Sequence, residues 1–130
     1  MVGKNSESII KFKLTAETNS PNSILDLFVN SDKNTSIEIC DGNANLELLN
    51  TNNSGSFDGT YVIELLVSFP FDVAAGVLAN FIFKKICSGA KKIEINNHRT
   101  RMTEEGIIQS IEKNVHTIEI EDPGSSNKYI

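Results

Sequence analysis

The sequence predicts an α+β domain built on a single mixed, mainly antiparallel β-sheet, with helices packed mostly on one face. Three observations support this prediction. Short runs of alternating apolar and polar residues recur along the chain, two pairs of runs flank hairpin turn signals, and runs with helical spacing fall between them. The predicted element order is β-α-β-β-β-α-β-β-α-β.

The N-terminal part of the chain is predicted to form a strand and then a short helix. Ile10, Phe12 and Leu14 alternate with lysines, which is the period-two pattern of a strand with one buried face. Ser20 and Pro21 then supply a capping residue and a proline at a first helical position. They predict a helix of about ten residues.

The Asp-Gly pair at 41–42 predicts a two-residue hairpin between strands at 36–40 and 44–49. Both central residues of a type I′ turn need a positive φ, which this pair tolerates. The tight turn sets the register and pairs Ile39 with Ala44, so the apolar residues of both strands share one face.

The middle of the chain predicts a central strand and a long helix. Residues 60–69 are apolar on both faces, which favours a central position in the sheet. Residues 72–88 predict a helix that Asp72 caps and that Gly89 ends in a left-handed conformation. Because residues 73–83 are apolar almost all round, we expect this helix to be buried. Polar residues interrupt every window of about 20 residues, so we expect no membrane span.

The last third of the chain predicts a hairpin, a helix and a strand. Residues 92–102 form the hairpin, which turns at the Asn-Asn pair 96–97. Thr103 opens a helix that Asn114 closes. Residues 115–121 alternate again and predict a final strand.

Length and composition predict one domain. A chain of 130 residues with 39% hydrophobic residues can bury a core without disulfides or metals. We expect frayed tails at 1–7 and 122–130 of this single 1–130 domain. The N-terminus has no apolar stretch of signal-peptide length, so a cytoplasmic location is expected, with Cys40 and Cys87 as reduced thiols.

The sequence contains no recognisable catalytic, cofactor or metal motif. Its glycines form no phosphate-binding loop. His98 and His116 lie at no zinc-ligand spacing from each other or from a cysteine. We therefore expect no cofactor, no metal and no enzymatic activity, although a cysteine and a histidine can still meet in space in an unrecognised enzyme.

Charge is distributed unevenly along this chain of net charge −5. Residues 34–83 carry six acids and no Lys or Arg, whereas residues 84–102 carry six bases and one acid. The basic 84–102 segment leaves a nucleic-acid binder open as a hypothesis. It has no interleaved aromatic residues for base stacking, and the whole chain is acidic, so we rank that hypothesis below protein binding.

The acidic segment favours a basic protein partner. Small acidic domains without catalytic motifs often mask a basic protein, because complementary charge speeds encounter and sets register. Bacterial immunity proteins are similar to this chain in size and charge, and the resemblance rests on these general properties. The sequence therefore favours a non-enzymatic protein-binding module, an immunity or antitoxin-like inhibitor that neutralises a basic, nuclease-type toxin. A small scaffold or oligomerising subunit is the alternative.

The predicted partner-binding residues all lie in the acidic segment. With the register set by the turn, Glu47 is the diagonal neighbour of Glu38, and Glu64 emerges on the same outer face if its strand pairs beside the hairpin. No Lys or Arg in these strands offsets the three glutamates. Phe57, an aromatic residue in a polar loop, either packs onto the domain or contacts the partner. The full set is Glu38, Asp41, Glu47, Phe57, Asp58 and Glu64.

Overall fold

The computed structural model describes residues 9–29, 35–53 and 59–115. The strands in these ranges are β1 (Ile9–Thr18), β2 (Ser36–Ile39), β3 (Ala44–Asn53), β4 (Tyr61–Pro70), β5 (Lys92–Ile95) and β6 (His98–Thr100). The helices are α1 (Asn22–Leu25, extended by a 3₁₀ turn at Asp26–Phe28), α2 (Ala75–Phe81, continued by a π-helical turn at Ile82–Ile86 and a 3₁₀ turn at Cys87–Gly89) and α3 (Glu104–Asn114).

The six strands form one sheet in the order β2-β3-β4-β1-β5-β6, and every pairing among them is antiparallel. The predicted α+β class is confirmed, together with the element order as far as α3. The predicted final strand at 115–121 lies outside the described residues except for Val115. β1 occupies the middle of the sheet because it pairs with both β4 and β5.

One face of the sheet and the facing sides of the helices form the core. Alternate residues of the strands point into this core. Examples without exposed surface are Leu14, Leu65 and Ile93. Ile24 and Ile107 cover them from the helices. The three helices lie on this inner face, and no described element covers the outer face of the sheet.

The register of the first predicted hairpin is confirmed, but its turn is longer than the predicted two residues. Residues 40–43 separate β2 from β3, and Cys40, Asp41 and Gly42 have φ values of 57°, 58° and 85°. The backbone N–H of Asn43 donates to the carbonyl oxygen of Cys40 at 3.0 Å and closes the turn. Ile39 pairs with Ala44, so the parity argument from the sequence was correct.

The second hairpin turns at Asn96 and Asn97, whose φ values are 50° and 70°. Asparagine tolerates this left-handed region better than most residues do. The backbone N–H of Asn96 donates to the carbonyl oxygen of Lys13 at 2.9 Å, and its amide group donates to the carbonyl oxygen of Asn114 at 3.1 Å. The turn therefore connects β1 to the end of α3.

The helix predicted at 72–88 has different ends. Ala74, in an extended conformation, precedes its first helical residue without a side-chain cap, so the predicted cap at Asp72 was wrong. Asp72 instead belongs to the turn that follows β4, because β4 runs one residue further than predicted. Gly89 does not have a positive φ, so the predicted left-handed end was also wrong. A side chain at Gly89 would collide with Ser23, so close packing onto α1 requires glycine there.

α2 and the π-helical turn that continues it bury one side only, so the prediction of burial all round was wrong. The opposite side exposes Val77 by 43% and Phe83 by 39%. The sheet covers only one side of the helix, and α1 and α3 contact its flanks, so the remaining side faces water. The buried side contains Leu78, Ala79, Ile82 and Ile86.

α3 begins and ends as predicted. The hydroxyl oxygen of Thr103 accepts a hydrogen bond from the backbone N–H of Gly106 at 2.9 Å, and so caps the helix. Ile107 and Ile111, one turn apart, are buried against the sheet. Gly106 is needed here because a Cβ would lie 2.7 Å from backbone and side-chain atoms of Arg101.

The two sides of α2 should respond differently to truncation. We expect Ile82→Ala to lower the free energy of unfolding by about 2 to 5 kcal/mol, because it empties a fully buried site. The control Val77→Ala removes atoms from the exposed side and should cost less than about 1 kcal/mol. Urea denaturation of both variants measures the difference, and equal losses would contradict the one-sided burial.

Candidate partner-binding surface

The outer face of the sheet is the surface on which the predicted binding residues fall. Core-facing residues alternate with outward-facing ones along each strand, so the register identifies the outward set. From β2 to β5 it includes Glu38, Asn45, Glu47, Val62, Glu64, Leu66, Ser68, Lys11, Lys13, Thr15, Glu17, Lys92 and Glu94.

Glu38, Glu47 and Glu64, which we call the acidic strip, share this outer face as the sequence predicted. Glu38 pairs with Asn45, which makes Glu47 its diagonal neighbour. Glu64 emerges between the buried Ile63 and Leu65. The acidic strip therefore crosses β2, β3 and β4.

A β-bulge in β3 changes the local register beside the acidic strip. Leu48 pairs with Leu65, but Asn50 pairs with Glu64, so Leu49 is the extra residue. Leu49 is 45% exposed. The local sequence of β3 does not predict this bulge.

The acidic strip is not isolated from cations, and here the sequence interpretation was incomplete. Its own three strands contain no Lys or Arg, but β1 lies next to β4. Lys13 pairs with Leu66 and is the diagonal neighbour of Glu64, and Lys11 pairs with Ser68. The outer face is therefore acidic on the β2–β4 side and basic along part of β1, because the strand order does not follow the sequence order.

β5 continues the alternation of charge across the face. The Lys92 ammonium group lies 3.3 Å from the Glu17 carboxylate and 3.6 Å from the Glu94 carboxylate. These carboxylates are thus balanced within the domain. The acidic strip forms no such ion pair among the described residues, so its charges are available to a partner.

The remaining predicted site residues do not join the acidic strip. Asp41 lies at the tip of the first hairpin and lines a groove of about 530 Å³ against α2, on the helical side of the sheet. Lys84 and Lys85 line the same groove. Phe57 and Asp58 lie outside the described residues.

The two cysteines are free thiols with raised pKa values. Burial raises the pKa of Cys87 to about 11. Burial and the nearby Asp41 carboxylate raise the pKa of Cys40, whose Sγ lies 3.7 Å from the carbonyl oxygen of Val77. Such thiols are protonated at neutral pH and are poor nucleophiles.

The described residues do not place a cysteine beside a histidine in a cavity. Cys40 lines the groove against α2, whereas His98 lines a separate cleft between β6 and α3. His116 lies outside the described residues. Within the described ranges, no group of three His, Cys, Asp or Glu side chains is arranged to hold a metal ion.

The cleft between β6 and α3 has a volume of about 790 Å³ and a basic lining. Part of the basic 84–102 segment contributes to it, but Lys84 and Lys85 lie in the other groove. Gln109 and Lys113 enter the cleft from α3. The sequence reasoning missed them, because only the tertiary contact between α3 and β6 brings them to the basic hairpin.

The described residues form an α+β domain with a basic cleft and with a sheet face that none of the described elements covers. Comparison with protein families, with curated proteins and with solved structures finds no match to this chain. Among the described helices, none has the length and apolar character needed to cross a bilayer. We therefore infer function from the outer sheet face and the basic cleft.

Thiol reactivity tests the environment of Cys87. In a Cys40→Ser variant, we expect Cys87 to react with iodoacetamide at pH 8 about a hundredfold more slowly than an unstructured thiol, because its raised pKa lowers the thiolate fraction. The same variant unfolded in urea is the control and should react at the ordinary rate. A folded rate equal to the unfolded rate would contradict the raised pKa.

Proposed function

We propose that this chain is a non-enzymatic protein-binding module whose outer sheet face holds a basic protein partner. Within this class we propose a bacterial immunity or antitoxin-like inhibitor that neutralises a nuclease-type toxin in the cytoplasm. The observation that carries the proposal is the acidic strip, three carboxylates that share a sheet face left uncovered by every described element.

The composition of the face supports a protein partner. Leu66 lies between Glu47 on β3 and Lys13 on β1 in the same cross-strand row. Val62 is another half-buried apolar residue on this face. An apolar centre with charges around it is the usual arrangement of a specific protein interface.

The charge pattern also limits the partner. Like charges on neighbouring strands weaken a sheet slightly, and a partner's cations would offset this cost. The same partner must meet the basic part of the face at Lys11 and Lys13. We therefore propose a partner with a cationic patch opposite the acidic strip and at least one carboxylate opposite β1.

Charge reversal of the acidic strip tests the proposal. We expect the triple variant Glu38→Lys, Glu47→Lys and Glu64→Lys to fold and to bind the product of the adjacent gene at least about a hundredfold more weakly, because like charges then meet across the interface. Titration calorimetry at low and high salt measures the affinity and its salt dependence, which should fall in the variant.

The matched control reverses three exposed acids outside this face, namely Asp72, Glu105 and Glu112. It changes the net charge by the same amount, and we expect its affinity to stay within about threefold of the wild type. Undiminished binding by the folded acidic-strip variant, or equal losses in both variants, would refute the proposed interface.

One observation favours the scaffold alternative. Val77 on α2 and Phe83 on the π-helical turn that continues it each expose apolar surface, at 43% and 39%. Exposed apolar surface often marks sites of protein association. A second copy of this chain is the simplest occupant for an oligomerising subunit.

Sedimentation separates this alternative from the inhibitor. If α2 mediates assembly, the wild type should sediment as a dimer, and the double variant Val77→Ser and Phe83→Ser should sediment as a monomer with a nearly unchanged melting temperature. The acidic-strip variant is the control and should remain dimeric. A monomeric wild type at concentrations of about 100 µM would contradict the alternative.

A further inference from the structure

Among the described residues, the lining of the basic cleft between β6 and α3 contains several cations and no carboxylate. Its charged lining consists of Lys91, Lys92, Arg99, Arg101 and Lys113, with His98 beside them. The chain as a whole has a net charge of −5. A cluster of one sign inside a concave surface focuses the electrostatic potential there, so the cleft attracts anions although the protein is acidic.

Two of these cations, Arg101 and Lys113, are exposed and have no ion pair among the described residues. Arg99 forms no ion pair within 4.0 Å there either, but it is the cross-strand partner of Glu94, which balances part of its charge. Lys92 is engaged by carboxylates of the outer face, and Lys91 donates from Nζ to the hydroxyl oxygen of Thr60 at 2.8 Å. The uncompensated charge is therefore concentrated on the residue that follows β6 and on α3.

The floor of the cleft is polar and held in place. The hydroxyl groups of Thr100 and Ser110, both buried, lie 2.8 Å apart in a hydrogen bond. The amide group of Asn114 donates to the Ser110 hydroxyl oxygen at 3.0 Å. These bonds join β6 to α3, so the two walls of the cleft are oriented before any ligand arrives.

We infer that this cleft binds a compact small molecule that carries two or more phosphate groups. Arginine presents a planar set of donors that matches phosphate oxygens, and lysine adds point charges. Several cations around one cleft favour several adjacent phosphates over a single carboxylate. The volume of about 790 Å³ falls in the range of small-molecule sites.

The surroundings of the cleft favour a small ligand over a nucleic acid. No Phe or Tyr among the described residues lines it, so the described lining offers no broad platform for base stacking. A phosphodiester backbone that continued across β5 would meet Glu17 and Glu94 on the outer face. The cations thus form a closed cluster and not a track along the surface.

Titration of the full chain with inorganic tripolyphosphate tests this inference. The full chain is used so that the acids at 119, 121 and 122, which follow the described residues, are present in the measurement. We expect saturable binding that weakens between about 50 and 300 mM salt, with amide NMR shifts confined to β6, α3 and the adjoining turns. Citrate should bind at least about tenfold more weakly.

Two matched double variants locate the site. We expect Arg101→Gln with Lys113→Gln to weaken tripolyphosphate binding at least about tenfold, because two charged contacts are lost. Lys11→Gln with Lys13→Gln changes the net charge equally on the outer sheet face, and it should change the affinity by less than about twofold. Circular dichroism and melting temperature verify that both variants fold.

Several results would overturn the inference. Absence of saturable binding below about 1 mM, or equal weakening by both double variants, would exclude a specific site in the cleft. A ten-nucleotide single-stranded RNA that binds more tightly than tripolyphosphate, with the loss again confined to Arg101 and Lys113, would assign the cleft to nucleic acid. The proposed protein interface is unaffected by any of these outcomes, because it uses other residues.

Discussion

The pairing of β1 with both β4 and β5 is the constraint on which the rest of the structure depends. Ile10, Phe12, Leu14 and Ala16 form a continuous buried row through the middle of the sheet. This row joins the β2–β4 half of the domain to the C-terminal hairpin, although β1 and β5 are far apart in the sequence. Such non-local pairing must overcome a large loss of chain entropy, and complete burial of its inner side chains provides the compensating free energy.

The same pairing decides how charge is distributed on the surface. It brings Lys13 next to Glu64 and Glu17 next to Lys92, so residues from opposite ends of the chain alternate across the outer face. The helices cover the inner face because its apolar side chains must be removed from water. Polar and charged residues occupy most positions of the outer face, so its exposure to water costs little free energy, and no described element covers it.

The parts of the fold set by neighbouring residues could be predicted from the sequence, and the parts set by distant contacts could not. Both hairpins follow from turn residues that tolerate a positive φ, and the shared face of Glu38 and Glu47 follows from the predicted pairing of Ile39 with Ala44. The proximity of Lys13 to Glu64 depends on strand order, which no local pattern encodes. The contribution of Lys113 to the basic cleft likewise depends on how α3 packs on β6.

The errors at α2 have a common physical origin. The apolar run at 73–83 predicts complete burial of the helix. Val77 and Phe83 nevertheless face water, because a single sheet can cover only one side of a helix. The sequence pattern predicts a positive φ at Gly89. The structure shows a different reason for the glycine, because a side chain at this position would collide with Ser23. In both cases the neighbouring element, and not the local sequence, determines the environment of the residue.

Lys92 is the residue that connects the two surfaces, because it lines the basic cleft and also contacts Glu17 and Glu94 of the outer face. An anion in the cleft would compete with these carboxylates for the Lys92 ammonium group. The three side chains are each about one-third exposed, at 29% to 33%, and ion pairs in such positions contribute less than about 1 kcal/mol. Coupling between two sites cannot exceed the free energy of the interactions that link them, and the two ion pairs of Lys92 together limit any mutual effect to roughly thirtyfold in affinity. The proposed protein interface and the proposed phosphate site are therefore only modestly coupled through Lys92, the residue that both surfaces share.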